Sequence, residues 1–204
     1  GIPFCPSICL YCSFSSSPIG IWKNQVDAYL DALCKEIDYA SDAFAGKELN
    51  TVYIGGGTPT TLEPDQLERL LSKLEERFDY SRLLEFTVEA GRPDSITREK
   101  LAVLRAHGIS RISINPQTMN QKTLDLIGRR HTVEQTKDAF HLAREMGFDN
   151  INMDLIVGLP GEEKADVEHT LQEVTSLDPD SITVHSLAVK RASRLKMFHD
   201  EYKE

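Results

Sequence analysis

Apolar and polar positions along this chain follow two rhythms that take turns. Runs with β-branched residues or period-two alternation at residues 51–55, 84–89, 111–115, 151–157 and 181–187 predict short strands. Residues 2–4 predict the stub of one more strand ahead of them. Between these runs the spacing lengthens to a helical period. Val26, Tyr29, Leu30, Leu33, Cys34 and Ile37 fall on one stripe of a helix. Residues 64–78 carry Leu67, Leu70, Leu71 and Leu74, and Pro64 suits a first helical turn. Helices are also predicted over 97–107, closed by Gly108, over 133–146, closed by Gly147, and over 165–177, followed by Asp178 and Pro179. Residues 196–204 read as a charged, helix-like tail.

Strand and helix therefore repeat about six times, which predicts an α/β fold with a parallel sheet and right-handed crossovers. Six such units fit either an open sheet or a partial barrel. The unusual residues gather at one end of the strands. The cysteines follow the first strand, Gly55-Gly56-Gly57-Thr58 the second, and Glu89 ends the third. Asn115-Pro116-Gln117 follows the fourth, Asp154 lies in the fifth with Gly158 after it, and Ala188 follows the sixth. In both architectures, sites are built on the carboxyl rim of the strands. The pattern thus locates the site before it identifies the chemistry.

Composition narrows the partners. The chain has 204 residues, 40% hydrophobic and 27% charged, with a formal net charge of −9. An acidic chain without a basic run is not built to grip a phosphate backbone, so nucleic acid is not an expected partner. No apolar run reaches the roughly 20 residues of a membrane span, and a cytoplasmic protein is expected. The first residues, Gly1-Ile2-Pro3-Phe4, lack an initiator Met, and both ends read as cuts from a longer protein. One domain over 1–204 is expected, with no linker or finer repeat.

Of four cysteines, Cys5, Cys9 and Cys12 form a C-x3-C-x2-C run, and Cys34 sits alone on a helix's apolar stripe. Three readings of the run are open. The thiols can pack as small hydrophobes, although their spacing fits no strand or helix face. They can join a closed zinc site, which wants a fourth ligand. They can hold an iron–sulfur cluster, which normally takes four thiolates, so three would leave one iron with room for another molecule. Asp154 needs a partner of some kind, because a carboxylate within an apolar strand is costly alone. Among the histidines only His185, on the last strand, stands where it could serve a site.

The cysteine run after a first strand resembles the radical S-adenosylmethionine (radical SAM) superfamily. The resemblance implies a partial (βα)6 TIM-like barrel, parallel strands with outer helices, over residues 1–204. It implies a [4Fe-4S] cluster on Cys5, Cys9 and Cys12, with S-adenosylmethionine (SAM) on the fourth iron. Tyr11 fills the usual aromatic position, and Gly56, Gly57 and Thr58 match the glycine-rich segment beside the SAM amino group. Within the superfamily the chain is most similar to the anaerobic coproporphyrinogen III oxidase group. That similarity implies that Glu89, Gln117, Arg129, Asp154 and the backbone near Ala188 surround SAM. Asp154 and Glu89 would serve hydroxyl and amine groups, and Arg129 the methionine carboxylate. The implied activity is oxygen-independent oxidative decarboxylation of porphyrinogen propionates to vinyls, an oxidoreductase step of haem biosynthesis. It would draw electrons from a donor such as flavodoxin or ferredoxin. No catalytic residue of the chain itself is assigned.

The chain departs from the group in several places. A tyrosine six residues before the first cysteine would precede Gly1, and Gly1 replaces a frequent histidine. Cys12-Ser13-Phe14 lacks a further cysteine, and Asn115-Pro116 replaces the usual Gly-Val. These changes resemble the divergent coproporphyrinogen dehydrogenase branch. They also suit a haem chaperone on the same core, or a radical SAM enzyme with another substrate.

Overall fold

A computed structural model describes residues 1–197. The chain opens with β1 (Phe4–Cys5), which pairs in parallel with β2 (Ser17–Pro18). A short α1 (Ile19–Trp22) and the long α2 (Val26–Ala43) follow. Five strands then alternate with helices: β3 (Thr51–Ile54), α3 (Pro64–Arg77), β4 (Glu85–Glu89), α4 (Arg98–Ala106) and β5 (Arg111–Gln117). The series continues through α5 (Gln121–Leu126), α6 (Val133–Glu145), β6 (Ile151–Val157), α7 (Lys164–Ser176), β7 (Ser181–Ser186) and α8 (Arg194–Met197). Strands β3 to β7 form one five-stranded sheet in chain order, every pair parallel. This is the expected α/β architecture of a partial barrel, open rather than closed.

Two elements differ from the sequence expectation. The predicted first strand is not a full member of the sheet. Ile2 makes a single parallel bridge to Gly56, while Phe4 and Cys5 turn to pair with Ser17 and Pro18. Pro3 explains the break: it has no N–H to give to a ladder, and its carbonyl accepts from Ser17 N–H at 2.7 Å. The short α5 lacks a long apolar stripe and was not predicted. Of the expected charged tail, α8 reaches Met197 and the remainder lies outside the described residues.

Alternation divides the sheet into two unlike faces. Phe86, Val88, Ile112, Ile114, Ile151, Met153 and Leu155 point outward into one core. There they meet Leu30 of α2, Leu67, Leu70 and Leu71 of α3, Leu101 and Leu104 of α4, Phe140 of α6 and Val174 of α7. Their neighbours in sequence, Thr87, Glu89, Arg111, Ser113, Asn152, Asp154, Thr183 and His185, point the other way and line a cavity. Register keeps each set in a layer: Tyr53 stands beside Thr87, Thr87 beside Arg111, Ser113 beside Asn152, and Asp154 beside Thr183.

Pro116 lies within β5, where a central strand ordinarily excludes proline. The ladder to β6 shifts register there, between Ile114 and Gln117, so the missing N–H falls on a bulge. Gln117 emerges with φ of 70°, a left-handed backbone that costs a non-glycine residue of order 1 kcal/mol or more.

Candidate functional site

A cavity of about 580 Å³ opens at the carboxyl rim of the sheet. Cys5, at the end of β1, and Cys9 and Cys12, on the loop between β1 and β2, lie on its wall. All three are free thiols; Cys9 is buried, Cys5 and Cys12 half-buried. The loop is held from several directions. Leu10 N–H donates to the carbonyl of Ile127 at 2.9 Å, and Leu195 N–H donates to the carbonyl of Leu10 at 2.8 Å. The Leu10 side chain joins Ile127, Leu159 and Leu195 in a second, smaller apolar cluster. Ser7 Oγ donates to the Gly128 carbonyl at 2.8 Å.

The glycine-rich segment after β3 brings this loop to the rim. Gly55 O accepts from Ile2 N–H at 2.8 Å, Gly57 N–H donates to Ile2 O at 2.6 Å, and Thr58 N–H donates to Phe4 O at 2.7 Å. A side chain at Gly56, where φ is 119°, would meet the Ile2 backbone at 2.7 Å. One at Gly57 would meet Phe4 O at 2.6 Å and Cys5 Sγ at 2.9 Å. Contacts that close exclude a Cβ, so the glycines are needed to seat the cysteine-bearing strand. Both glycines also line the cavity.

Polar groups surround the sulfurs. Thr58 Oγ1 donates to Cys5 Sγ at 3.5 Å, and Arg92 Nη1 donates to Cys9 Sγ at 3.7 Å. Burial pushes the Cys5 and Cys12 thiols up, with the Thr58 bond working against it at Cys5. Arg129 is buried; it donates to Tyr11 Oη at 2.9 Å and to the Gly91 carbonyl at 2.9 Å, and its other donors include one to the Asn115 carbonyl. It thereby fastens the cysteine loop to the segment that follows β4 and to β5 itself. Behind it lies His131, fully buried, with no partner at either ring nitrogen. Burial and the neighbouring Arg129 and Arg92 push this imidazole down to about 3, so it is neutral. Lys100 supports the rim from below, its Nζ donating to the carbonyl of Thr60 at 2.7 Å.

The remaining wall is a polar sheet surface. Glu89 accepts from the Tyr53 hydroxyl; burial raises the Glu89 carboxyl and the Tyr53 bond opposes that. Asp154 accepts from Asn152 Nδ2 at 2.6 Å. Asn152 Oδ1 accepts in turn from Ser181 at 2.8 Å and Thr183 at 3.0 Å.

Of the residues singled out from the sequence, Cys5, Cys9, Cys12, Tyr11, Gly56, Gly57, Thr58, Glu89, Gln117, Arg129 and Asp154 all line this one cavity, as does His185. Ala188 does not: it is exposed, past the end of β7. Cys34 lies on α2, away from the cavity wall. Arg92, Ser7, Tyr53, Arg111 and Asn152 line the cavity without having been picked out. Their positions carry a signal all the same, since each is either in a rim loop or at an inward position of a strand whose other positions are apolar.

The donor set fits an iron–sulfur cluster with SAM. Three free thiols share one wall, and two buried polar atoms on that wall, Gln117 Oε1 and Arg129 Nε, have no hydrogen-bond partner. Buried polar atoms are seldom left so unless a ligand meets them. A closed zinc site would gather its donors round one point. Among the described residues, no group of three or more His, Cys, Asp or Glu is placed to hold a single metal ion.

The sequence pattern of the radical SAM superfamily matches residues 1–174, and the chain belongs to that superfamily. Membership implies a [4Fe-4S] cluster and S-adenosylmethionine as cofactors. The chain is 45% identical to the oxygen-independent coproporphyrinogen-III oxidase-like protein HemZ of Bacillus subtilis, over all of this chain and 41% of HemZ. It is 40% identical to the heme chaperone HemW of the same organism, over 93% of this chain and 49% of HemW. Its structure matches coproporphyrinogen III oxidase (HemN) from Escherichia coli with a TM-score of 0.84 and 31% identity, over 98% of this chain and 50% of HemN. The chain thus spans half or less of the length of these relatives. No helix among the described residues is long and apolar enough to cross a membrane.

Proposed function

We propose that this protein acts in porphyrin metabolism as an oxygen-independent coproporphyrinogen III oxidase, converting substrate propionates to vinyl groups. The observation that supports it is the gathering of the cysteine trio with Glu89, Gln117, Arg129 and Asp154 on one cavity wall, in a chain similar to HemZ and HemN. In this reading Cys5, Cys9 and Cys12 would hold the cluster, and the polar residues that line the same cavity would hold SAM. Bound together, the two cofactors supply one-electron cleavage of a carbon–sulfur bond and so the removal of a hydrogen atom from substrate. Each propionate gives up that hydrogen atom, carbon dioxide and one electron, the last to a one-electron acceptor.

The residues of the chain bind and orient. Gly56, Gly57 and Thr58 offer backbone groups to the SAM amine, and Asp154 and Glu89 accept from its hydroxyl and amine groups. Gln117 and Arg129 line the same wall, where Arg129 would serve the methionine carboxylate. Tyr11, held by Arg129, lines the cavity beside the cysteines. The reduced donor is a small redox protein such as flavodoxin or ferredoxin. A second reading, haem delivery on the same core, is favoured by the 40% identity to HemW.

Anaerobic incubation of the full protein with coproporphyrinogen III, SAM and dithionite separates the readings. Protoporphyrinogen with 5′-deoxyadenosine is the expected result. Tight haem binding without turnover would establish the delivery role instead, and deoxyadenosine without a porphyrin product would indicate another substrate. In the same preparations Cys9→Ala abolishes the brown cluster absorbance and Cys34→Ala leaves it. Retention in both would sink the ligand assignment.

A further inference from the structure

Arg92 follows β4 in the run Gly91-Arg92-Pro93-Asp94. Its burial is not ordinary, for the residue is 3% exposed. Nη1 donates to Ser7 Oγ at 3.1 Å and to Cys9 Sγ at 3.7 Å. Nε and Nη2 donate to the two oxygens of Asp94, both at 3.1 Å. One edge of the guanidinium is thus given to a carboxylate and the opposite corner to a cysteine sulfur. A buried cation of this kind needs a purpose, because the sulfur is a weak acceptor while it carries a proton.

We propose that Arg92 is a positioning residue that sets the reduction potential of the iron–sulfur cluster through Cys9, with Asp94 as its counterweight. The inference rests on the reading of Cys9 as a cluster ligand. Reduction adds one electron, and so one negative charge, to a cluster already ligated by three thiolates; no proton or bond changes hands. A guanidinium donating to a ligand sulfur interacts more strongly with the more negative state and makes reduction easier. The planar fork is what lets one side chain hold Asp94 and Cys9 at the same time. Asp94 carries the opposite charge and offsets part of the effect, so the pair tunes the potential from both sides.

The test is a dithionite titration of the full protein, reconstituted anaerobically with iron and sulfide. The cluster's midpoint potential is read by electron paramagnetic resonance, alongside iron and sulfide content. Arg92→Gln should keep its iron and lower the reduced-to-oxidised ratio at fixed potential about tenfold, which for one electron is about 59 mV. Asp94→Asn should move the potential the opposite way, and Arg92→Lys should restore part of the loss. A purely structural role moves both variants together or moves neither, and either outcome overturns the proposal. Should Arg92→Gln lose its iron, Asp94→Asn decides alone: an upward shift supports the proposal and an unmoved potential overturns it. A wild-type protein that takes up no cluster, or a Cys9→Ala variant that keeps one, overturns the ligand reading and this proposal with it. A cluster lost in Cys9→Ala but unmoved in potential by Arg92→Gln overturns the role of Arg92 alone.

Discussion

The two faces of the sheet come from the same strands yet obey different rules. Outward, Phe86, Val88, Ile112, Ile114 and Met153 are almost wholly removed from water and pack against the helices. Inward, the residues one position away are Thr87, Glu89, Ser113, Asn152 and Asp154, which line a cavity; Asn152 donates across to Ser113 and along its own strand to Asp154. The outer face is apolar because apolar burial is what stabilises a fold. The inner face gives up that stabilisation and keeps polar groups available to a ligand. Stability and binding are thereby assigned to alternate residues of one element, and each can be altered with little effect on the other.

Three substitutions put that division at risk. The largest effect belongs to Ile112→Ala, a fully buried outward residue at the centre of the sheet. It should cost about 2–5 kcal/mol of stability in denaturant unfolding; a loss below about 1 kcal/mol would show that the outer face is not the main support. Asp154→Asn, on the inward face three residues before the end of β6, should weaken SAM binding about tenfold or more, the worth of a hydrogen bond to a charged group. Its unfolding midpoint should stay near wild type, and a large drop in stability with unchanged SAM affinity would reverse the assignment. Calorimetric titration with SAM, paired with denaturant unfolding, reads both.

The smallest effect lies in the outer layer. His107 bridges Glu75, at 2.8 Å, and Glu68, at 3.1 Å, between α3 and α4. Burial works to lower its pKa, but the two carboxylates overcome burial and the net shift is upward. A raised folded-state pKa means the contribution is complete below about 6.5, the ordinary histidine value, and is lost as pH rises through the folded pKa. His107→Gln should therefore be less stable than wild type at pH 6 by about 1 kcal/mol or less, since the partners are half-exposed, and the gap should close toward alkaline pH. A gap that widens with pH would contradict the pairing.

Much of this was legible in the sequence because the rhythm of the strands is set by local burial. The strands at 84–89, 111–115 and 151–157 and the helices that follow appear where periodicity put them, and the rim residues converge. What escaped depends on distant partners. Arg92 was not singled out because its partner is Cys9, on a different loop. The glycines after β3 line the cavity, and what their sequence did not reveal is that Ile2, Phe4 and Cys5 also occupy the space a side chain would fill. The first strand failed to extend because Pro3 has no donor. Arg111 and Asn152 were passed over because an inward polar residue and a solvated one give the same alternation.

The clasp on Leu10 has a consequence for biosynthesis. Its backbone is held by Ile127 on one side and Leu195 on the other, both of which leave the ribosome long after the cysteines do. The cysteine loop is therefore made before the residues that clasp it, and its final shape waits for the far end of the sheet to be in place.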